Sequence, residues 1–557
     1  MVDISSELLV TTGLLPENLP PVYTSKQLWP ALPHGSSFLN KTMVGEASSY
    51  NASKRGNQRR MFHIPHPLFV LGQGDFFKAH WNDVEAIFDK STGSASRPIL
   101  RNDSIRHVHF TPHSELPALR LKKLSKFKYC LITDVSRFYY SVYTHSLPWA
   151  LHGKQQSKTD KKAESRVIFG NMLDLIVRQA QFGQTIGLPV GPDVSKLSAE
   201  LLMSAVDERF LQLNKKVAYV RHVDDYWVGG HTFEQCEKHL QHLRSALRYF
   251  ELDINESKTR IVSTKYVFGE AWPSEFEDEI KSELAKGEKG KPLAVLGKII
   301  ERATQDNDEG IVKRIIRTID GNRLWDSDWG VLEHFLAQCA VQFPHSFDYV
   351  ARVIAWRART SRVLDKSLWI EIARTTTLQA ASLGRDSEAC WAIWLLKEMR
   401  NPLPKALTDL LVGNNGSLVL CFLAHFPKYK LASDKKLYEK LRDRLDGDLY
   451  SGPDWPISLE LKHLGQDAGI NWSVSKAHQN LRSMHDGNLS LIRWDAPPKV
   501  FEPTDAGDAD DAPESAIEDF GSDYDEVDDT DEDNDVEDDF EQDIEMMEGF
   551  QRAMDAP

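Results

Sequence analysis

The sequence predicts a mixed α+β unit over about 1–285, an all-α region over about 286–499 and an acidic tail over 500–557, and three observations carry that prediction. Two apolar, β-prone stretches end in carboxylates: YCLITD closes on Asp134, and AYVRHVDD closes on the doublet Asp224 and Asp225. Beyond Lys291 the apolar residues recur at helical spacing. From Glu502 onward 25 acidic residues face one Arg, a charge of −24 that leaves +9 on the rest of the chain.

The carboxylates carry the chemistry. If the two strands lie side by side, one single carboxylate and one doublet come together. Two divalent cations about 3.5–4 Å apart need shared oxygen ligands of this kind, and they activate a 3′-hydroxyl while neutralising a leaving pyrophosphate. Mg²⁺ prefers carboxylates, water and phosphate oxygens to a closed protein cage, and no His/Cys set with ligand spacing competes. Asp-Asp after a strand is by itself an ordinary polar turn. Its ordered surroundings raise this one above that.

Taken in chain order, YNASKRGNQRRMFHIPHPLFVL is a basic turn followed by a strand and two prolines. After the Asp134 strand, Gly187, Pro189, Gly191 and Pro192 form a loop, and Ser195 to Phe210 read as a helix. The Asp224/Asp225 strand follows, then the helix-like FEQCEKHLQHLRSALRYF and the turn LDINESKTRIV with Lys258. Between about Lys291 and Pro498, AVLGKIIERA, VLEHFLAQCAVQF, FDYVARVIAWRART and EACWAIWLLKEM read as short helices with brief connections. In the last of these, Trp391, Trp394 and Leu395 fall at i, i+3 and i+4, a buried face. No fixed repeat period is evident. The tail has too much like charge and too few large apolar residues to fold, so disorder is expected there.

This order resembles the palm of reverse transcriptases, motifs A to D, which implies a right-hand polymerase fingers and palm over about 30–285. On the resemblance, Asp134 is the motif A metal ligand, joined by the carbonyl of Val135, and Asp224 and Asp225 are the motif C pair. Tyr139, five residues after Asp134, falls at the steric gate that crowds a ribose 2′-OH; its other reading is a core aromatic. The basic turn resembles the fingers hairpin, which places Lys54 and Arg60 at the incoming triphosphate, with Arg55, Arg59 and Arg120 as alternatives. Lys258 matches the motif D lysine that protonates the leaving pyrophosphate, its other reading being an exposed lysine after a turn. Gly191 and Pro192 belong to the motif B loop beside the substrate. Two Mg²⁺ ions, replaceable by Mn²⁺, and dNTPs are the implied cofactors and substrates.

Two positions depart from the family pattern. Motif B normally has Gln where GLPVG has Val190, which puts ordinary template-dependent copying in doubt, and motif C normally has Tyr where this chain has His222. SRFYYSVYTHSLPWALHGK with GLPVGPDVS resembles the bacterial defence-associated reverse transcriptases, the abortive-infection and "unknown group" enzymes. That resemblance implies a HEAT-like helical domain in place of a thumb and a role in antiphage defence. Its implied partners are an RNA template or noncoding RNA, a DNA product, and a companion defence protein or a second copy. Priming from nucleic acid or from a protein hydroxyl stays open. The run contains His145, where the safer expectation is a helix N-cap neighbourhood with Thr144 or Ser146 accepting a backbone N–H bond.

Composition fits this reading. A chain of 557 residues exceeds what one core serves, and a body charge of +9 suits a nucleic-acid enzyme. The segment MVDISSELLVTTGLLPENLPP lacks both a basic start and a long apolar core, and five cysteines are scattered, so a cytoplasmic chain with reduced thiols is expected and no membrane partner. The acidic tail would compete for a basic cleft, bind a basic partner, or only solubilise. A catalytically silent nucleic-acid-binding scaffold of the same fold is the alternative function. A nuclease, the remaining class, needs neither the gate nor the motif B loop.

Overall fold

The computed structural model describes residues 2–33, 42–54, 58–102, 106–266, 272–305, 310–445, 449–472 and 479–501. The acidic tail beyond 501 and Arg55 of the basic turn lie outside them. Among the described residues eight strands make three antiparallel sheets: the hairpin β1 (Ser48–Lys54) and β2 (Gln58–Ile64), the small pair β3 (Ile99–Leu100) and β4 (Val108–His109), and a central sheet. The central sheet contains β5 (Tyr129–Asp134), β6 (Tyr219–His222), β7 (Asp225–Gly230) and β8 (Arg260–Ser263) in the order β6-β7-β5-β8.

Strand β5 sits between two partners, so its alternate residues serve two layers. Leu131 faces the main core with Val228, Leu243 and Leu247, whereas Cys130 packs with Leu124, Phe127 and Ile132 on the other face. The helix Asp193–Leu213 and the helix Phe233–Tyr249 cover the first face. The second of these is capped locally: the Thr232 hydroxyl accepts the Gln235 amide at 3.1 Å, and the Gln235 side chain returns to the His231 amide at 2.7 Å.

Helices dominate from Trp272 onward. Most of them pack on the next helix, on the next but one, or on both, which is the neighbour pattern of a stacked array. The helix Asp386–Glu398 (DSEACWAIWLLKE) is apolar nearly all round, so it can only be buried on every side. Trp391 and Trp394 cross edge-on at 5.2 Å inside it, fully in the core.

Residues before 30 belong to the same core, which the sequence did not signal. The helix Ser6–Thr11 packs on the helix Pro67–Ala79, Tyr23 donates to the Leu418 carbonyl at 2.7 Å, and Trp391 Nε1 donates to the Asn18 carbonyl at 2.8 Å. All five cysteines are free and buried. Among the described residues no helix is long and apolar enough to cross a membrane.

Candidate active site

Antiparallel pairing of β5 with β7 sets Asp134 directly opposite Asp225, and the β6-β7 hairpin turns through Val223 and Asp224 beside them. Val223 adopts a left-handed φ of 55°, an uncommon state for a β-branched residue. Three hydrogen bonds hold it there: its amide donates to Ser96 Oγ at 2.6 Å, its carbonyl accepts Arg221 Nη1 at 2.9 Å, and the next carbonyl, of Asp224, accepts the Val135 amide at 3.3 Å. The motif A strand and the motif C turn are thereby joined by backbone. Asp134 is fixed from the other side, its carbonyl accepting the Asn255 amide at 2.8 Å, and Val135 is bridged to Ile254.

Arg221 anchors the turn from below. Its guanidinium is fully buried and donates to both oxygens of Glu200 at 2.8 Å and to Asp207 at 2.8 Å. Both acids project from the helix Asp193–Leu213. A second buried guanidinium, Arg106, holds the loop before that helix, bonding Asp193 and the carbonyls of Gly13, Leu15 and Gly191. Burial opposes ionisation of Asp193, but the adjacent Arg106 and Lys196 hold its carboxyl below the usual range. Sequence reading found neither arginine. Their partners are up to about a hundred residues away, and each arginine reads locally as an ordinary strand or loop residue.

The carboxylates themselves are tense. Asp134 is buried; one of its oxygens accepts Lys258 Nζ at 2.7 Å, and the other is buried with no donor. Burial first, then the Asp225 and Asp134 charges, pushes the Asp224 carboxyl up to about 7. Burial and Asp134 raise Asp225 as well, while Lys258, His113 and Lys54 oppose the rise. Lys258 is raised, first by its hydrogen bond to Asp134. Burial, then Arg60 and Lys258, lowers Lys54, and the Asp224 and Asp225 charges oppose the fall.

The other candidates are placed as follows. Tyr139 is half-buried against the main core, and burial together with the nearby Asp224 pushes its hydroxyl upward. Its carbonyl accepts the Leu188 amide at 2.7 Å, tying the motif A segment to the motif B loop. Gly191 has φ 123°, closed to most side chains, and an added Cβ would stand 3.0 Å from Phe62. Pro192 precedes the helix that Asp193 opens. Of the alternative arginines, Arg59 is turned away, its guanidinium paired with Glu388, and Arg120 lies over Trp227 at 4.8 Å. The expected side-chain cap near His145 is not formed. The helix starting at Ser146 carries none, and His145 Nδ1 instead meets Asp174 at 2.9 Å.

Residues 84–300 match the family model "Reverse transcriptase (RNA-dependent DNA polymerase)". The chain carries a reverse transcriptase domain. RNA-directed DNA polymerases are nucleotidyltransferases, and the matched segment contains Asp134, Asp224, Asp225 and Lys258 but not the β1-β2 hairpin. Similar solved structures include apo telomerase from Candida tropicalis, at 10% identity and TM-score 0.31, covering 74% of this chain and 70% of that one. Telomerases from Candida tropicalis and Candida albicans, each with a TWJ fragment of telomeric RNA, give 13% and 12% identity and TM-scores of 0.26 and 0.27. They cover 63% of this chain, which spans 64% and 66% of theirs. No curated protein matches.

The reverse transcriptase domain implies divalent metal. Among the described residues no three His, Cys, Asp or Glu side chains form a ready ligand cage. Mg²⁺ does not require one, since it is commonly held by one or two carboxylates plus water and substrate phosphates. The residues fit that mode: an orphaned Asp134 oxygen and two mutually repelling carboxylates are groups that gain from a divalent cation. Asp134, Asp224 and Asp225 are the side chains that would hold it.

Proposed function

We propose that this chain adds deoxynucleotides to a 3′-hydroxyl or a protein hydroxyl by metal-assisted phosphoryl transfer, and that it serves in antiphage defence. The observation that carries the chemistry is the direct opposition of Asp134 and Asp225 with Asp224 in the adjoining turn. Two bound divalent ions would supply charge neutralisation and an activated hydroxyl. The protein's own contributions follow from position. The carboxylates would hold the metal and the Val135 carbonyl would join them, while Lys54 and Arg60 approach the triphosphate from the hairpin. Lys258 delivers a proton to the departing pyrophosphate, and the Tyr139 ring excludes a 2′-OH. Gly191 and Pro192 shape the loop at the base. The Lys258 ammonium stands on Asp134 at 2.7 Å, so it is held beside the carboxylates that would bind the metal and within reach of the phosphates a bound nucleotide would bring there.

The defence role rests on the resemblance of the SRFYYSVYTHSLPWALHGK and GLPVGPDVS segments to abortive-infection enzymes, with Val190 in place of Gln. A cytoplasmic location and a companion protein, noncoding RNA or second copy go with that reading.

Purified chain incubated with Mg²⁺ and labelled dNTPs, without added template or primer, tests the chemistry beside an Asp224→Asn/Asp225→Asn variant. Incorporation by the wild type alone is expected, with the variant folded and at least as heat-stable because mutual repulsion is removed. Protease and RNase treatment then separates protein from RNA priming. Equal incorporation by the variant removes the assignment. A wild type inert with and without primed templates favours the scaffold.

A further inference from the structure

Strand β1 has one edge paired with β2 and one edge facing the helical region, where its amides need acceptors. Those acceptors are side chains at the start of the helix Asp386–Glu398. The Asn51 amide donates to Asp386 Oδ2 at 2.8 Å, and the Ser53 amide, two residues on and therefore on the same edge, donates to Ser387 Oγ at 2.9 Å. Glu388 takes the Arg59 guanidinium through both of its oxygens, with Nη2 at 2.9 Å from Oε2. Arg59 in turn bonds the Asn51 side chain and carbonyl, each at 2.9 Å. Asp386 is itself braced by the Gly416 amide at 2.9 Å and by Asn415 at 3.0 Å. Asp386, Ser387 and Glu388 are all buried.

Strand alternation gives this contact its consequence. Arg59 and Arg60 are adjacent on β2 and project to opposite faces. As Arg59 is drawn to Glu388, Arg60 lies on the opposite face with Lys54 and Phe62, the face whose Phe62 ring stands against Gly191 of the substrate loop. The grip on one face therefore fixes the pose of the cations on the other. We propose that Asp386, Ser387 and Glu388 are positioning residues for the incoming nucleotide, acting through the β1-β2 hairpin. The helical region, outside the matched reverse transcriptase segment, then sets nucleotide affinity. The inference rests on the polymerase reading and adds to it where that affinity is decided.

Full-length Arg59→Ala, Arg59→Lys and Glu388→Gln chains test it against the wild type, with melting temperature and amide exchange at Asn51 and Ser53 measured alongside dNTP titrations. Arg59→Ala is expected to lower kcat/KM by roughly ten- to a hundredfold, carried by KM with kcat nearly unchanged, since the hairpin is displaced and the carboxylates are not. Arg59→Lys keeps one charge contact and recovers part of the loss, and Glu388→Gln falls between. Faster exchange at Asn51 and Ser53 with KM unchanged would make the contact merely structural and overturn the proposal, as would a fall in kcat at constant KM. A wild type that incorporates nothing strikes the polymerase reading instead. Mg²⁺-dNTP affinity by calorimetry then replaces KM, and equal affinity in Arg59→Ala and wild type overturns the positioning role.

Discussion

Replacing Arg221 by Leu tests how the turn bearing Asp224 is held. The guanidinium makes four bonds of 2.8–2.9 Å in a fully buried site: two to Glu200, one to Asp207 and one to the Val223 carbonyl. Its loss leaves two buried carboxylates without their cation. Some support remains, because Asp207 keeps the Tyr226 hydroxyl at 2.6 Å and Glu200 keeps Ser94 at 2.8 Å and Ser204 at 3.0 Å. Breaking a buried ion pair from one side costs about 3–5 kcal/mol, and that is the expected loss from urea denaturation midpoints at pH 7. Incorporation should fall by about a hundredfold, because a displacement near 1 Å at the metal ligands is enough. Adding Glu200→Gln and Asp207→Asn to Arg221→Leu removes the uncompensated charge and should return all but about 1–2 kcal/mol. A deficit below about 1 kcal/mol, or one that the neutralising pair leaves untouched, would refute the account of the turn.

Three other perturbations have definite outcomes. Tyr139→Ala should admit ribonucleotides in competition assays against dNTPs, and unchanged sugar selectivity would return Tyr139 to the core. His485, buried beside Tyr450, Trp472 and the Ser458 hydroxyl, has its pKa lowered to about 4 by burial. The unfolded chain therefore binds the extra proton first. Stability from this group is complete above about pH 6.5 and is lost as pH falls toward 4, by on the order of 3 kcal/mol, and His485→Asn should flatten that part of the melting profile. Deleting 502–557, which carries a charge of −24, should tighten nucleic-acid binding most at low salt if the tail competes for the basic body; equal affinity at every salt concentration assigns it to solubility.

The carboxylates were legible because each follows an apolar, β-prone stretch, and although only Asp134 closes its strand, with Asp224 in the β6-β7 turn and Asp225 opening β7, neighbouring strand ends converge whatever the details of packing. The helix after Pro192 and the helix at Phe233 were legible for similarly local reasons, a proline-glycine break before the one and the helix-like run FEQCEKHLQHLRSALRYF of the other. The arginines that hold the site were not. Arg221 sits in a strand among apolar neighbours, and its acids Glu200 and Asp207 look like solvent-facing residues of a long amphipathic helix until the fold turns them inward. Arg59 and Arg60 are indistinguishable in sequence. Only the β1-β2 register and the position of Glu388 separate the one that braces from the one that faces the site. The first thirty residues carry no motif, and their role is spread over many long-range contacts.

The two departures from the family pattern are expected to bear on selectivity and to leave the carboxylate cluster intact, and the backbone gives the reason. At Val190 the fold uses the carbonyl, which accepts the His63 amide at 2.9 Å and joins the motif B loop to β2. Any side chain preserves that bond, so Val in place of Gln does not loosen the loop. His222 occupies the last position of β6, opposite Asp225, with its ring 4.4 Å from that of His113. It is buried beneath the turn, and the turn's geometry is set by Arg221, Ser96 and Val135. Replacing His222 by the usual Tyr should therefore leave metal-dependent incorporation within a fewfold of wild type, and replacing Val190 by Gln should change which template or base is accepted. If either change abolished incorporation altogether, these side chains would have to hold the metal site itself, and the division between a backbone-built metal site and side-chain-built selectivity would fail.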